Sequence, residues 1–166
     1  IKCGSVAFVP GPNNASVDWF KIKISGYPAH VSTPQLGVDA VYIASQIVVS
    51  VQGIVSRNTD PIDTVVVGIG TMKAGTIYNA VAGEAELEGT TRAFTKESRE
   101  RVNKSIVDIA KNIGEMYNAQ VEVEFKDYAS PVINDIKVCN SLKKVAEKII
   151  GPENILKDYP KKLGAD

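Results

Sequence analysis

The chain has 166 residues, enough for one domain with a proper core and an appendage. It is 44% hydrophobic and 23% charged, and 19 Lys plus Arg balance 19 Asp plus Glu, so the formal net charge is zero. That balance argues against a nucleic-acid footprint or a polybasic membrane patch, and apolar runs such as Ile47-Val48-Val49 are far too short to span a bilayer. Ile1 in place of an initiating Met reads as a fragment boundary, with no visible signal peptide. Cys3 and Cys139 lie far apart without metal-ligand spacing and are predicted to be free thiols in a reducing, cytoplasmic setting.

Val6 to Val9 is a short apolar run, and Pro10-Gly11-Pro12-Asn13-Asn14 reads as a turn-rich linker. Ala15 to Ser25 alternates. Phe20, Ile22 and Ile24 share one side, and Trp19, Lys21 and Lys23 the other, which predicts a half-buried strand. The stretch GYPAHVSTPQLGVD, Gly26 to Asp39, follows and holds His30, the one histidine of the chain. A helix is predicted over Val38 to Val55, with Ala40, Ile43, Ala44, Ile47, Val51, Ile54 and Val55 at three- and four-residue spacing. Its many β-branched residues mean that packing, not propensity, must hold it. Arg57 to Pro61 is a loop, Thr64 to Met72 a buried strand, and Gly75 to Gly83 a connecting turn with Asn79 near its centre. Glu84 to Phe94 alternates again, with Ala85, Leu87, Gly89, Thr91 and Ala93 on one side. Thr95 then caps a helix whose apolar face is Val102, Ile106, Ile109, Ala110 and Ile113, ended by Gly114. Gln120 to Lys126 alternates with Val121, Val123 and Phe125 inward.

Strand, helix, strand, strand, helix, strand is the split βαβ, ferredoxin-like pattern. The predicted fold is therefore α+β, βαββαβ, with a four-stranded antiparallel sheet and two helices on one face. Residues 1–14 read as a flank, 15–127 as the domain, and 128–166 as a further piece. That piece holds a helix from about Asp135 to Ile150, then Ile155-Leu156 and a Pro-Lys-Lys tail, with no visible partner in the small domain.

Three residues are candidates for chemistry. His30 is the one side chain whose unperturbed titration lies near neutrality, and it sits where a strand ends. Asn79 lies on the turn between two strands. Arg92 ends a strand on the polar face, and its planar fork of donors suits a carboxylate. The residues alone favour plainer readings: a surface-loop histidine, an Asn suited to a turn, and an Arg paired with Glu86 or Glu88. Asp18, Asp39, Glu84, Glu86 and Glu88 make no metal constellation, since a zinc hydrolase needs three or four clustered ligands. Gly68-Ile69-Gly70 lacks the rest of a dinucleotide fingerprint, and no nucleophile elbow, P-loop or Ser-His-Asp arrangement is present.

Four segments gain meaning together: GYPAHVSTPQLGVDA, IVSRNTDPID, VGIGTMKAGTIYNAV and ELEGTTRAF, in this order and spacing. The chain, from about Gly4 to its end, closely resembles the lid, or dimerisation, domain of the zinc-dependent aminoacylase and carboxypeptidase family. The resemblance is to the amidohydrolase branch, which includes N-acyl-amino-acid amidohydrolases, hippurate hydrolases and auxin-conjugate hydrolases. It implies a two-domain homodimeric enzyme that hydrolyses the amide bond of N-acyl amino acids or small peptides. It implies two divalent metal ions, zinc or alternatively manganese, nickel or cobalt, in a catalytic domain, and none in this fragment, which alone would be inactive. Leu163-Gly164-Ala165-Asp166 is similar to the start of the family's Met-Gly-x-Glu-Asp-Phe stretch.

Residue by residue, His30 matches the lid histidine of Gly-x-x-x-His, which in relatives reaches across the dimer to the scissile carbonyl. Asn79 matches the Asn of Thr-x-x-Asn, and Arg92 the Arg of Gly-Thr-x-Arg; in relatives these help hold substrate carboxylate or carbonyl oxygens. The resemblance predicts that all three line the exposed side or rim of the sheet, away from the helices. Two departures stand out: Pro28-Ala29 where Gly-Gly is common, and Gln35 where a His is common. The rival reading is a non-catalytic ferredoxin-like regulatory or protein-interaction module.

Overall fold

Alternating strands packed under two helices carry the fold. The computed structural model describes residues 1–157, 159–160 and 163. In chain order the elements are β1 (Val6–Ala7), β2 (Gly11–Asn14), β3 (Val17–Ser25), β4 (Ala29–His30), α1 (Ala40–Ser56), β5 (Val65–Ala74), β6 (Ala80–Val81) and β7 (Glu84–Ala93). Then come α2 (Lys96–Met116), β8 (Gln120–Ala129), β9 (Val132–Asn134), α3 (Ile136–Ile150) and β10 (Ile155–Leu156).

The main sheet runs β5-β7-β3-β8, and every neighbour is antiparallel. This is the α+β, ferredoxin-like arrangement that the order of elements predicts. The inward residues of β3, Phe20, Ile22 and Ile24, meet Leu87 from β7, Ile43 and Ile47 from α1, and Val102 and Ile106 from α2. Alternation fixes the register, because a one-residue slip would turn these side chains into water. Gly89 stands opposite Phe20, and a Cβ there would lie 2.3 Å from the Phe20 Cζ, so the ring occupies the space that glycine leaves.

Several boundaries differ from the sequence reading. Asp39 caps α1, accepting from Val41 N at 2.9 Å, so the helix starts at Ala40. Gly114 does not end α2. It lies in the last turn, buried against β8, where a Cβ would meet Val121 Cγ2 at 2.4 Å, and left-handed Asn118 (φ 59°) turns the chain instead. Only Val65 of β5 is buried, and Val66 to Ile69 are half-buried. β5 is an edge strand, the register shifts between Ile69 and Thr71, and Gly70 to Ala74 are exposed.

The segment Pro10 to Asn14, read as a linker, contains β2, which pairs antiparallel with β9. Pro12 is tolerated because a two-stranded ribbon leaves one edge of each strand unpaired. β1 pairs parallel with β10. The two flanks thus partner each other, a long-range pairing that no local pattern announces. Cys3 is exposed, Cys139 is buried, and both are free thiols. The Gly164-Ala165-Asp166 part of the tail resemblance, and Lys161-Lys162, lie outside the described residues.

One polar cluster sits inside this apolar frame. Asp18, 2% exposed, points toward the helices. It accepts from Arg99 Nε at 2.7 Å and from Asn103 Nδ2 at 3.0 Å. Arg99 also pairs with Asp127, so one guanidinium ties α2 to β3 and β8. Burial opposes ionisation of Asp18, but the hydrogen bonds from Arg99, Asn103 and Thr91 and the Arg99 charge outweigh it and hold the carboxyl below its ordinary value.

Removing Arg99 strands that carboxylate. Arg99→Met is expected to lower the unfolding free energy by about 3–5 kcal/mol, read from the urea midpoint, and adding Asp18→Asn recovers part of the loss. A depressed folded value means stability that is full above the unfolded carboxyl range and is lost as pH falls through the folded value. Acid titration followed by circular dichroism should therefore show wild type losing stability below about pH 4, with a shallower slope in Asp18→Asn.

Candidate functional site

The site begins where β3 and β7 part. Gly26 N donates to Gly83 O at 2.8 Å, the rung after which the ladder ends. A Cβ on Gly26 would stand 2.2 Å from Val38 O, so only glycine lets the Tyr27–Val38 bridge close behind it. The chain then makes a second, small ribbon: β4 pairs with β6, Ala29 opposite Val81 and His30 opposite Ala80. Val31 N donates to Asn79 O at 3.1 Å. His30 and Asn79, far apart in sequence, therefore lie on adjoining backbones.

The hydrogen bonds of His30 settle its tautomer. The Ser32 backbone N–H, which can only donate, reaches Nδ1 at 3.2 Å, and Ser32 Oγ lies at 2.7 Å from the same nitrogen. Nδ1 is thus placed as the ring's acceptor, which leaves Nε2 as its N–H donor. The ring is exposed, and Nε2 has no hydrogen-bond partner among the described residues. The result is an oriented N–H donor facing outward. The Asn79 side-chain amide likewise has no partner among the described residues.

Arg92 lies elsewhere. From Glu84 to Arg92, β7 runs about 26 Å at roughly 3.3 Å per residue. Arg92 is on the helix-free face at the far end of the sheet, away from His30 and Asn79. The expected pairing with Glu86 or Glu88 does not form, because Lys21 holds both at 3.1 Å. Hydrogen bonds from Lys21 and then from Trp19 keep the Glu88 carboxyl below its ordinary value, and those to Glu86 and Glu88 raise Lys21. Arg92 Nη1 donates to Thr90 Oγ1 and, at 2.9 Å, to Thr91 O, and no carboxylate pairs with it among the described residues. Half of its fork and its whole charge remain available to an anion.

The sequence reading overlooked α1 as a surface. Its 17 residues, AVYIASQIVVSVQGIVS, contain no charge. Its outer side exposes Val41, Val49 and Val55, beside edge strand β5 and the exposed Met72. The signal was legible: a helix without charge on any face expects cover on more than one side. The other edge, β8, carries Glu122, Glu124 and Lys126 in alternation. Among the described residues no three His, Cys, Asp or Glu side chains are grouped to hold a metal ion, and no helix is long and apolar enough to cross a membrane.

Comparison with known proteins is consistent with this geometry. The family model described as "Peptidase dimerisation domain" matches residues 14–118. The N-acetylcysteine deacetylase of Bacillus subtilis is 36% identical over 149 residues, 90% of this chain and 39% of its own length. The N-acyl-L-amino acid amidohydrolase of Geobacillus stearothermophilus is 37% identical over 134 residues, 81% of this chain and 36% of its own length. This chain therefore spans well under half the length of these relatives. A crystal structure of the Bacillus subtilis YxeP protein, a dinuclear metal-binding peptidase of the M20 family, superposes with TM-score 0.76 at 29% identity, over 97% of this chain and 38% of that one. The chain belongs to the peptidase dimerisation domain family of the M20 amidohydrolases and peptidases.

Proposed function

We propose that this chain is the lid of a metal-dependent amidohydrolase that cleaves N-acyl amino acids or small peptides, with each substrate held between two protomers. One observation carries the reading: the His30 ring N–H and the Asn79 amide stand at one end of the sheet and an unneutralised guanidinium at the other, about 26 Å along β7. A small N-acyl amino acid cannot bridge that length in one chain. A two-fold dimer turns the ends toward each other, so that His30 and Asn79 of one protomer face the partner's Arg92. The Nε2–H of His30 then donates to the scissile carbonyl oxygen as negative charge develops there. Arg92 and Asn79 take the substrate's carboxylate or carbonyl oxygens. The side chains described do not fit a metal centre, so the steps given to this chain run through hydrogen bonds alone. The two metal ions belong to a catalytic domain, of which residues 1–14 and 128–166 are parts, with 15–127 as the lid. The pairing of β1 with β10 and β2 with β9 supports that division.

The dimer forms through α1 and the exposed half of β5. An uncharged helix face beside an unpaired strand edge suits a second copy, while the charged alternation of β8 discourages pairing on the other side. Light scattering is expected to give twice the chain mass. The pair Val49→Asp and Val55→Asp should give a monomer with unchanged circular dichroism, and Glu124→Ala should leave the mass unaltered. A monomeric wild type would refute this interface.

Cross-subunit catalysis has its own test in the metal-loaded enzyme that contains this chain. His30→Ala and Arg92→Ala should each lower kcat/KM by about 10²–10³. Mixing the two inactive variants after reversible dissociation should restore about one quarter of wild-type activity. Half the dimers are hybrids, and each hybrid has one intact site of two. No recovery would mean that both residues serve the same protomer's site.

A further inference from the structure

Beside His30 lies a surface that the roles above leave unused. From Gly26 to Val38 and from Ala74 to Gly83 the chain carries no Asp, Glu, Lys or Arg. These two loops nevertheless expose Tyr27, Val31, Leu36, Ile77 and Tyr78, and Tyr78 is 95% exposed. Val31, Ile77 and Tyr78 wall a hollow of about 480 Å³ against the start of α1. That size falls among small-molecule sites. Asp39 is the one charged residue on its wall, and its carboxylate is engaged by Val41 N at 2.9 Å and Tyr42 N at 3.3 Å as the helix cap. The hollow offers a ligand apolar side chains interleaved with backbone and the Thr76 hydroxyl, and no free charge.

Its position is specific. Val31 follows His30, Tyr78 precedes Asn79, and the Val31–Asn79 hydrogen bond of 3.1 Å joins the two loops. We infer that this hollow receives the acyl group of the substrate, that the acyl group is apolar and longer than acetyl, and that Tyr78 is a specificity-determining residue. The inference rests on the proposed function. There the carboxylate goes to the partner's Arg92 and the scissile carbonyl to His30. The acyl group is bonded to that carbonyl on the side away from the amino acid, and the hollow walled by Val31 and Tyr78, the chain neighbours of His30 and Asn79, is the adjoining space that would receive it. A charged acyl group would lose its hydration with no partner to replace it. An acetyl group would leave the hollow wet and the Tyr78 ring without contact. An aliphatic chain or an aromatic ring would cover that apolar area, and its burial supplies the discrimination.

The test is kcat/KM of the metal-loaded enzyme on N-acyl-L-alanines from acetyl to octanoyl, with benzoyl alongside. The rate constant is expected to rise about two- to fourfold for each added methylene until the hollow fills. Tyr78→Ala should cost about tenfold on the hexanoyl and benzoyl substrates and less than twofold on the acetyl one, with Tyr78→Phe restoring the preference. Because Tyr78 is 95% exposed, its truncation leaves the core intact. A rate independent of acyl length overturns the inference and leaves the amidohydrolase reading standing. An equal loss on every substrate does the same, and would mean that another part of the enzyme covers Tyr78. Absence of hydrolysis across the whole series overturns the proposed function and this inference with it.

Discussion

The last rung of the β3–β7 ladder, Gly26 N to Gly83 O at 2.8 Å, is the constraint on which the site depends. Up to that rung the two strands are bound by register: eight Cα pairs run from Asp18 and Thr91 to Ser25 and Glu84. Beyond it both chains leave the sheet, and they leave together. A Cβ on Gly83 would meet Pro28 Cδ at 2.8 Å, and one on Gly37 would meet Val81 Cγ1 at 3.0 Å. These close approaches hold the His30 loop against the Asn79 loop. His30, in the two-residue strand β4, and Asn79, on the turn before β6, lie beyond the main sheet, and their placing is set by the ends of β3 and β7, whose inward side chains are buried.

Charge on the open face is distributed so that the Arg92 guanidinium has no carboxylate partner among the described residues. Lys21 stands between Glu86 and Glu88 and holds both. Lys126 lies over the Trp19 ring at 4.9 Å, and the Trp19 indole N–H donates to Glu88 at 3.3 Å. This local neutrality is why Arg92 finds no carboxylate, although its sequence neighbours are rich in glutamate. On the opposite face Asp18 and Arg99 do the reverse, pairing closely inside the core where an unpaired charge would cost several kcal/mol. One sheet thus carries a closed polar cluster that serves stability and an open one that leaves a charge available.

Much of the fold was legible because its signals are local. The alternation of Phe20, Ile22 and Ile24, the spacing of Val102, Ile106 and Ala110, and the Thr95 cap are each read within one element. The pairing of β2 with β9 was not legible, because Gly11-Pro12-Asn13-Asn14 has turn composition and its partner lies more than a hundred residues on. Gly114 misled because a glycine late in a helix usually ends it, whereas here it makes room for Val121. Of the candidate site, the three residue identities could be read, but not their division. Nothing in the sequence states that β4 and β6 pair, and that pairing is what sets His30 beside Asn79 and leaves Arg92 at the other end.

That division is also an argument about assembly. A site whose donor and cation lie at opposite ends of a rigid sheet is incomplete in one chain, and no loop motion of a few ångströms closes a gap of about 26 Å. In the proposed dimer the gap closes when a second copy brings its own opposite end, catalysis then depends on the dimer, and the uncharged helix α1 gains a role beyond packing. Two roles are then separated along the same strand. In the proposed function the Arg92 end reads charge, and the His30 end, with an outward N–H and an uncharged rim, reads the carbonyl and what is attached to it. On the inferred acyl site, changes in the Ile77-Tyr78 turn retune the acyl preference without disturbing either the core beneath the sheet or the cation at its far end.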